Sequence, residues 1–486
     1  MNHIGVWSGK SHNNVVPLIL VAATVVSALF LFPITWVAVA ALLGVAVVLY
    51  LVASMLDGKV EVPLLFWVAV FPLGYYFVAF PRERAIITFD RIMVGVVLVG
   101  ACLVARRKAT KPAEELRRSA VAWGFFLLAA FASVRKAPDV LTASRIAFDG
   151  FLLPALLGWI VMGSFDVRRH MVGLHVLTCV MAIYVAAIGG AEMATGSDIM
   201  PLPGAGTGLY FAGPIPRPNG PFNSNNSFAL IGLISFFFLL FLRRAVGKEM
   251  LWWQRLLHKA GMASALATAL MPLFRSVAIS LLIILLLDTY FNRGLGKVAA
   301  RLAILFSAIA ALAIFSLKAP DAFEDRSERG NLYSRIAEQR QTLELFKMHP
   351  ITGVGLTNFV NVAEARSQSV GTFQGYESVD SPHNNLGAVL AETGLMGFVP
   401  YVAAQVSLIM AFRKLRTLRT HQCRAVWIFF VYVFSGYWIS GLSLTAGYYS
   451  DLNLWYMFVL MVLYKYAITE ESGSWIHADT RVRSLP

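Results

Sequence analysis

Long apolar stretches recur along this chain from residue 15 to residue 469, broken by short polar segments. A run of about 18 or more apolar residues reads as a membrane-spanning helix. The pattern predicts spans at 15–32, 35–56, 63–80, 91–105, 119–134, 149–164, 171–193, 226–243, 259–274, 276–291, 298–317, 384–411, 425–446 and 453–469. The expected fold is therefore all-α, a polytopic transmembrane helix bundle of about 12–14 spans, with both chain ends on one side. Residues 260–291 are apolar except for Arg275 and Asp288. That is too long for one helix of about 20 residues, so a hairpin turning near Pro272–Ser276 is predicted.

Two segments fall outside the apolar pattern. Residues 194–225 are rich in Gly, Pro and Asn, with Pro214, Pro216, Arg217, Pro218, Asn219, Gly220 and Pro221 in close succession. Such a stretch is irregular but rigid. Residues 318–383 open with the charged run Asp321–Arg329. Leu332, Ile336, Leu343 and Phe346 then follow at helical spacing, with Asn331 as N-cap and Pro350 as stop. This predicts an amphipathic helix lying on the membrane face or capping a cavity. The chain divides accordingly into an N-terminal transmembrane bundle (1–193), a core with the two long loops (194–411), and C-terminal helices with a tail (412–486).

Composition agrees, at 58% hydrophobic and 14% charged residues. A soluble domain is nearer one quarter charged, so no sizeable soluble domain is expected. The net charge of +14 would suggest nucleic acid in a soluble protein. Here Lys and Arg collect in loops that meet anionic headgroups, and no nucleic-acid partner is expected. With the N-terminus inside, the short-loop count is 26 basic residues inside against 8 outside. That places loops 194–225 and 318–383 on the outer face. The first apolar run lacks a cleavage site and reads as a retained helix. Of the three cysteines, Cys102 and Cys179 fall in helices and Cys423 in a basic inner loop. No C-x-x-C or zinc-type spacing, P-loop or dinucleotide fingerprint is present, so no metal or cofactor is expected.

The candidate chemistry is on the outer side. His383 stands at the junction of the long loop and a helix, in Ser381-Pro382-His383-Asn384-Asn385. The helix N-terminus favours a neutral imidazole able to take a proton from a hydroxyl, unless the residue merely caps the helix. Arg217 and Arg275 are the outward cations. Two guanidiniums reaching one site could grip a diphosphate without a metal; the alternatives are an interfacial side chain for Arg217 and a structural ion pair for Arg275. Glu392 lies nine residues beyond His383, on nearly the opposite helix face, and reads as a structural contact. Gly394 and Gly397 read as positions of close helix packing. Glu377 and Asp380 read as solvated acids rather than a hydrolytic pair.

The stretch His383-Asn384, nine residues, then Gly394-Leu395-Met396-Gly397 resembles the H-N-x9-G-x-x-G signature of the O-antigen ligase superfamily. That superfamily includes O-antigen and exopolysaccharide polymerases and protein O-oligosaccharyltransferases. His349-Pro350-Ile351-Thr352-Gly353-Val354-Gly355-Leu356-Thr357-Asn358-Phe359 is similar to its long-loop segment, and Arg217–Asn223 to its earlier loop. Phe274-Arg275-Ser276 stands where the family often has Ser-Arg-Gly. The resemblance covers about residues 210–411 and implies inverting glycosyl transfer without a metal, at the periplasmic face of the bacterial inner membrane. The donor would be an undecaprenyl-diphosphate-linked glycan and the acceptor a glycan or lipid A-core, so that the chain would serve lipopolysaccharide or exopolysaccharide biosynthesis. His383 would be the base or acceptor-positioning group, Arg217, Arg275 and Arg335 would hold the diphosphate, and Asn384 would bind substrate. The competing class is a lipid-linked glycan flippase or transporter. Such a protein should carry ionisable groups at mid-membrane, often in repeats, whereas here the spans are mostly free of charge and no repeat is visible.

Overall fold

The computed structural model describes residues 47–105 (apart from 48, 56, 58 and 82–84), 114–201, 209–222 (apart from 213 and 214), 224–247, 250–291, 329–365, 382–417 and 421–482. The expected spans 15–32 and 298–317 lie outside them, as does most of 35–56.

The fold is a polytopic all-α bundle. Its helices are α1 (Glu61–Val70), α2 (Gly74–Phe77), α3 (Phe89–Ala105), α4 (Glu114–Ser133), α5 (Val140–Ile146), α6 (Leu153–Ser164), α7 (Val167–Thr195), α8 (Asn225–Val246), α9 (Trp252–Leu270), α10 (Arg275–Phe291), α11 (Arg329–Met348), α12 (Phe359–Glu364), α13 (Asn385–Leu415), α14 (His421–Gly441) and α15 (Ser450–Val482). A π-helical stretch, Ala147–Leu152, joins α5 to α6. Two short antiparallel hairpins are also present: β1 (Ala79–Phe80) with β2 (Ile87–Thr88), and β3 (Tyr210–Ala212) with β4 (Ile215–Arg217). Among the described residues six helices are long and apolar enough to cross a membrane, and 61–77 and 425–441 are shorter apolar helices.

Helix α8 is the hub. Ser224 caps it by accepting from the Asn226 and Ser227 N–H groups, and most of its side chains are buried against α7, α9, α14 and α15. The packing beside it is aromatic: Phe71 stacks on Trp455 at 5.2 Å, and the Trp455 indole donates to the Ser235 hydroxyl at 3.0 Å. A buried indole N–H needs such a partner. Outward-facing positions such as Phe125, Leu128, Trp159, Leu286 and Val399 are apolar and exposed, as a lipid-facing surface requires.

Residues 252–291 form two helices, as expected, with α9 ending at Leu270 and α10 starting at Arg275. They diverge onto different neighbours, α9 onto α7 and α8, and α10 onto α14. Three expectations need correction. Arg275, which the sequence embeds between two apolar stretches, is exposed at the first turn of α10, because the chain turns immediately before it. Helix α11 already includes Arg329, so Asn331 lies inside it and does not cap it. Cys423 belongs to the first turn of α14, not to a loop, and its thiol is buried 3.2 Å from the Ala467 carbonyl.

Polar contacts sort the connections into two ends. At one end Arg91 pairs with Asp149 at 2.6 Å, Lys136 with Thr352 at 2.6 Å, Arg217 with the Pro272 carbonyl at 3.0 Å, and Asn385 with the Gly447 N–H at 2.7 Å. At the other, Arg168 donates to the Thr469 carbonyl at 2.7 Å. The first end gathers the described parts of the segments singled out in the sequence, 215–222, 350–359 and 382–385.

Candidate functional site

The site begins with a break in α13. Gly394 has φ 59°, ψ −163°, a conformation that L side chains rarely adopt. The break opens the helical pairs that would join Leu395 to Ala391 and Met396 to Glu392. Residues 350–355 close all four groups. The Ala391 and Glu392 carbonyls accept from Val354 (2.9 Å) and Gly355 (3.0 Å), and the Leu395 and Met396 N–H groups donate to Pro350 (2.8 Å) and Ile351 (3.0 Å). The loop lies so close that a Cβ on Gly394 would come within 2.4 Å of the Ile351 carbonyl oxygen. Buried backbone groups must be paired, and here the loop supplies what the helix lost. Gly394 is therefore a break rather than a packing glycine. Gly397 makes room within its own helix, since a Cβ there would meet the Thr393 hydroxyl.

Above this splint, α11 lies over the start of α13. Its buried face is largely polar: Glu338, Gln341 and Thr342 are each 2% exposed, whereas Leu343 is 51% exposed. The Gln339 carboxamide donates to the Pro382 carbonyl at 3.1 Å and accepts from Asn384 at 3.2 Å. Asn384, not His383, caps α13, its oxygen accepting from Leu386 (2.9 Å) and Gly387 (3.2 Å). His383 sits just before the cap with φ 38°. That region is uncommon for a side-chain-bearing residue and concentrates at functional positions. Its Nε2 faces Glu338 Oε1 at 4.0 Å, and the other Glu338 oxygen accepts from Arg335 at 3.3 Å. Side-chain exposure rises from Glu338 (3%) through His383 (21%) to Arg335 (42%). A carboxylate thus lies beneath an accessible imidazole, with a cation at the rim.

The second arm is the 215–222 segment. Arg217 donates to Pro272 and sits 5.4 Å over the Phe274 ring, so it is held at the turn that carries Arg275. The segment is anchored by Glu192 near the end of α7, fully buried, whose carboxylate accepts from the Gly220 N–H at 2.7 Å. Asn223 lies outside the described residues.

The turn before α15 connects the arms. Asn385 accepts from Gly447, and Asn226 donates to the Tyr449 hydroxyl at 3.2 Å. Burial raises the Tyr449 phenol above its ordinary value, against hydrogen bonds from Asn226 and Ser224 that oppose it. The phenol stays protonated through neutral pH. The π-helical stretch clamps the same turn, since a Cβ on Gly150 would lie 2.5 Å from the Gly447 carbonyl oxygen.

The structure thus brings His383, Asn384 and Arg335 together, and separately brings Arg217 to the Arg275 turn. Glu392 is buried beneath the splint and faces Thr357, Phe359 and Tyr448, the structural place its spacing from His383 suggested. Sequence reading missed Glu338, Gln339, Glu192 and Tyr449. Glu338 was visible only as one acid on a helix whose apolar residues attracted attention. No local signal pointed to Tyr449.

Residues 223–402 match the family model described as O-antigen ligase. That match supports an O-antigen ligase-related family, in agreement with the resemblance of the motifs. The matched segment holds both the His383 cluster and the splint. No curated protein matches this sequence. The family supports ligase- or polymerase-type glycan transfer by a multi-pass membrane protein.

Proposed function

We propose that the chain transfers a glycan from an undecaprenyl-diphosphate carrier at the periplasmic face of the bacterial inner membrane, acting as a polysaccharide polymerase or an O-antigen ligase. The observation that carries this is His383, held at positive φ over a buried carboxylate inside the family-matched segment. An acceptor hydroxyl oxygen attacks the anomeric carbon of the donor sugar and its proton passes to His383. The anomeric C–O bond breaks with its electron pair going to the diphosphate, and the configuration inverts. Glu338 stabilises the imidazolium that forms, as a facing carboxylate does in acid–base pairs. Arg217, Arg275 and Arg335 hold the diphosphate, so the charge that develops on the leaving group meets guanidiniums and no metal is required. Asn384 joins the substrate site through position: its carboxamide fixes the backbone that presents His383. The acceptor is a growing glycan or lipid A-core.

The test uses purified protein, an undecaprenyl-diphosphate-linked oligosaccharide and a chelator, beside a His383→Ala variant. Longer lipid-linked products from donor alone are expected for a polymerase, and a product only after adding lipid A-core for a ligase. The variant should lose about 10²–10⁴-fold in rate, the usual share of a positioned base. A variant as active as wild type would remove His383 from the chemistry, and transport of intact donor without transfer would replace the enzyme by a flippase.

A further inference from the structure

Seventeen residues before Glu192, about 26 Å along α7, a second polar cluster lies toward the opposite end of the bundle. His175 and Cys179, one turn apart on α7, face His258 of α9. His175 Nε2 lies 3.1 Å from His258 Nδ1, and Cys179 Sγ lies 3.8 Å from the same Nε2. The three ligand atoms are all within 4.8 Å of one another. Each residue is at most 3% exposed. The helices approach closely because of Gly261, where a Cβ would come within 2.9 Å of Cys179.

Helix packing alone asks for apolar side chains here, not two imidazoles and a thiol aimed at one point. Ligand atoms sharing one ion at about 2.0–2.3 Å each must lie about 3.3–3.7 Å apart, and the observed separations bracket that range. We propose that His175, Cys179 and His258 form a binding site for a soft monovalent metal ion, Cu(I), distinct from the transfer site. Among the described residues no fourth His, Cys, Asp or Glu joins the three. Thiolate and imidazole ligands in a low-coordinate set suit Cu(I), whereas structural Zn(II) asks for four. Charge points the same way. One thiolate neutralises Cu(I) but would leave a divalent ion with net positive charge among buried side chains, in a medium of low dielectric. Binding releases the thiol proton. The imidazole that donates in the His175–His258 hydrogen bond moves its proton to its other nitrogen, so that both lone pairs face the ion.

The test takes full-length protein purified without a polyhistidine tag, loaded separately with Cu(I) under reducing conditions and with Zn(II), then washed against a chelator of moderate strength. Elemental analysis should find one copper per chain retained and X-ray absorption should show mixed nitrogen and sulfur ligation. Cys179→Ser, which keeps the packing volume, should weaken binding by at least about 10–100-fold, the cost of losing even an outer-shell partner. Copper at the level of the buffer blank in folded wild type would overturn the site and leave a hydrogen-bonded histidine pair. Cys179→Ser and His258→Gln retaining wild-type copper would place the ion elsewhere. Zinc retained in preference to copper would overturn the monovalent assignment.

Discussion

The two arms of the candidate site are fastened in opposite ways. Beneath the arm bearing His383 the fastening is backbone: four main-chain hydrogen bonds cross the break at Gly394, and glycine at 353, 355 and 394 makes the contact possible, while Gln339 and Asn384 hold the tip itself. The arm bearing Arg217 is held by side chains: a buried carboxylate grips Gly220, and a guanidinium stacks on Phe274. The first fastening should therefore be sensitive to backbone geometry and indifferent to most side chains, the second the reverse. In the function proposed above, a base must be placed to a fraction of an ångström, whereas cations act on a diphosphate through longer-range forces. The stiffer fastening is on the arm that needs it.

The comparison can be broken most directly at Gly394. Ala there meets both the positive φ and the Ile351 carbonyl at 2.4 Å. Gly394→Ala should cost about 3 kcal/mol or more, read as a fall in the thermal unfolding midpoint in detergent together with loss of transfer. Unfolding like wild type would show that the break is not fixed by the loop. Next is Glu192. Glu192→Ala leaves the buried Gly220 N–H without its acceptor and should cost about 1–3 kcal/mol. Glu192→Gln keeps an acceptor oxygen and should recover most of that loss. Equal stability of the two variants would mean that the carboxylate does not anchor the arm. The smallest effect is expected at Lys136, whose ammonium donates to Thr352 and to the Gly353 carbonyl at 2.9 Å from outside the splint. Lys136→Ala should cost less than about 1 kcal/mol and leave transfer intact. A large loss would show that the backbone bonds cannot hold the loop alone.

Much of this was legible in the sequence. Hydrophobic runs located the described spans, because lipid-facing and buried positions alike must be apolar. The split at Pro272–Ser276 followed from length, and Arg335, His383 and Asn384 came from one motif and its loop. What was missed had no one-dimensional signal. The exposure of Arg275 depended on where the chain turns, and the inward face of α11 combines Leu345 with Glu338, Gln341 and Thr342, whose polar surroundings include the residues just before α13. Gly394 looked like a packing residue because a backbone angle leaves no trace in an apolar pattern. The pairing of His175 with His258 joins residues 83 apart, and only packing of α7 on α9 reveals it.

The splint at Gly394 also bears on how the protein is made. The residues that close the break precede it in the chain by some forty positions, so they leave the ribosome first. When α13 enters the bilayer its Ala391 and Glu392 carbonyls and its Leu395 and Met396 N–H groups lack partners within the helix, and hydrocarbon offers none. Insertion of this helix is complete only when the segment made before it folds back onto it. Biogenesis of the last third of the molecule is thereby tied to that of the loop before it, and a chain whose loop has failed to dock retains a membrane helix that quality control can recognise as unfinished.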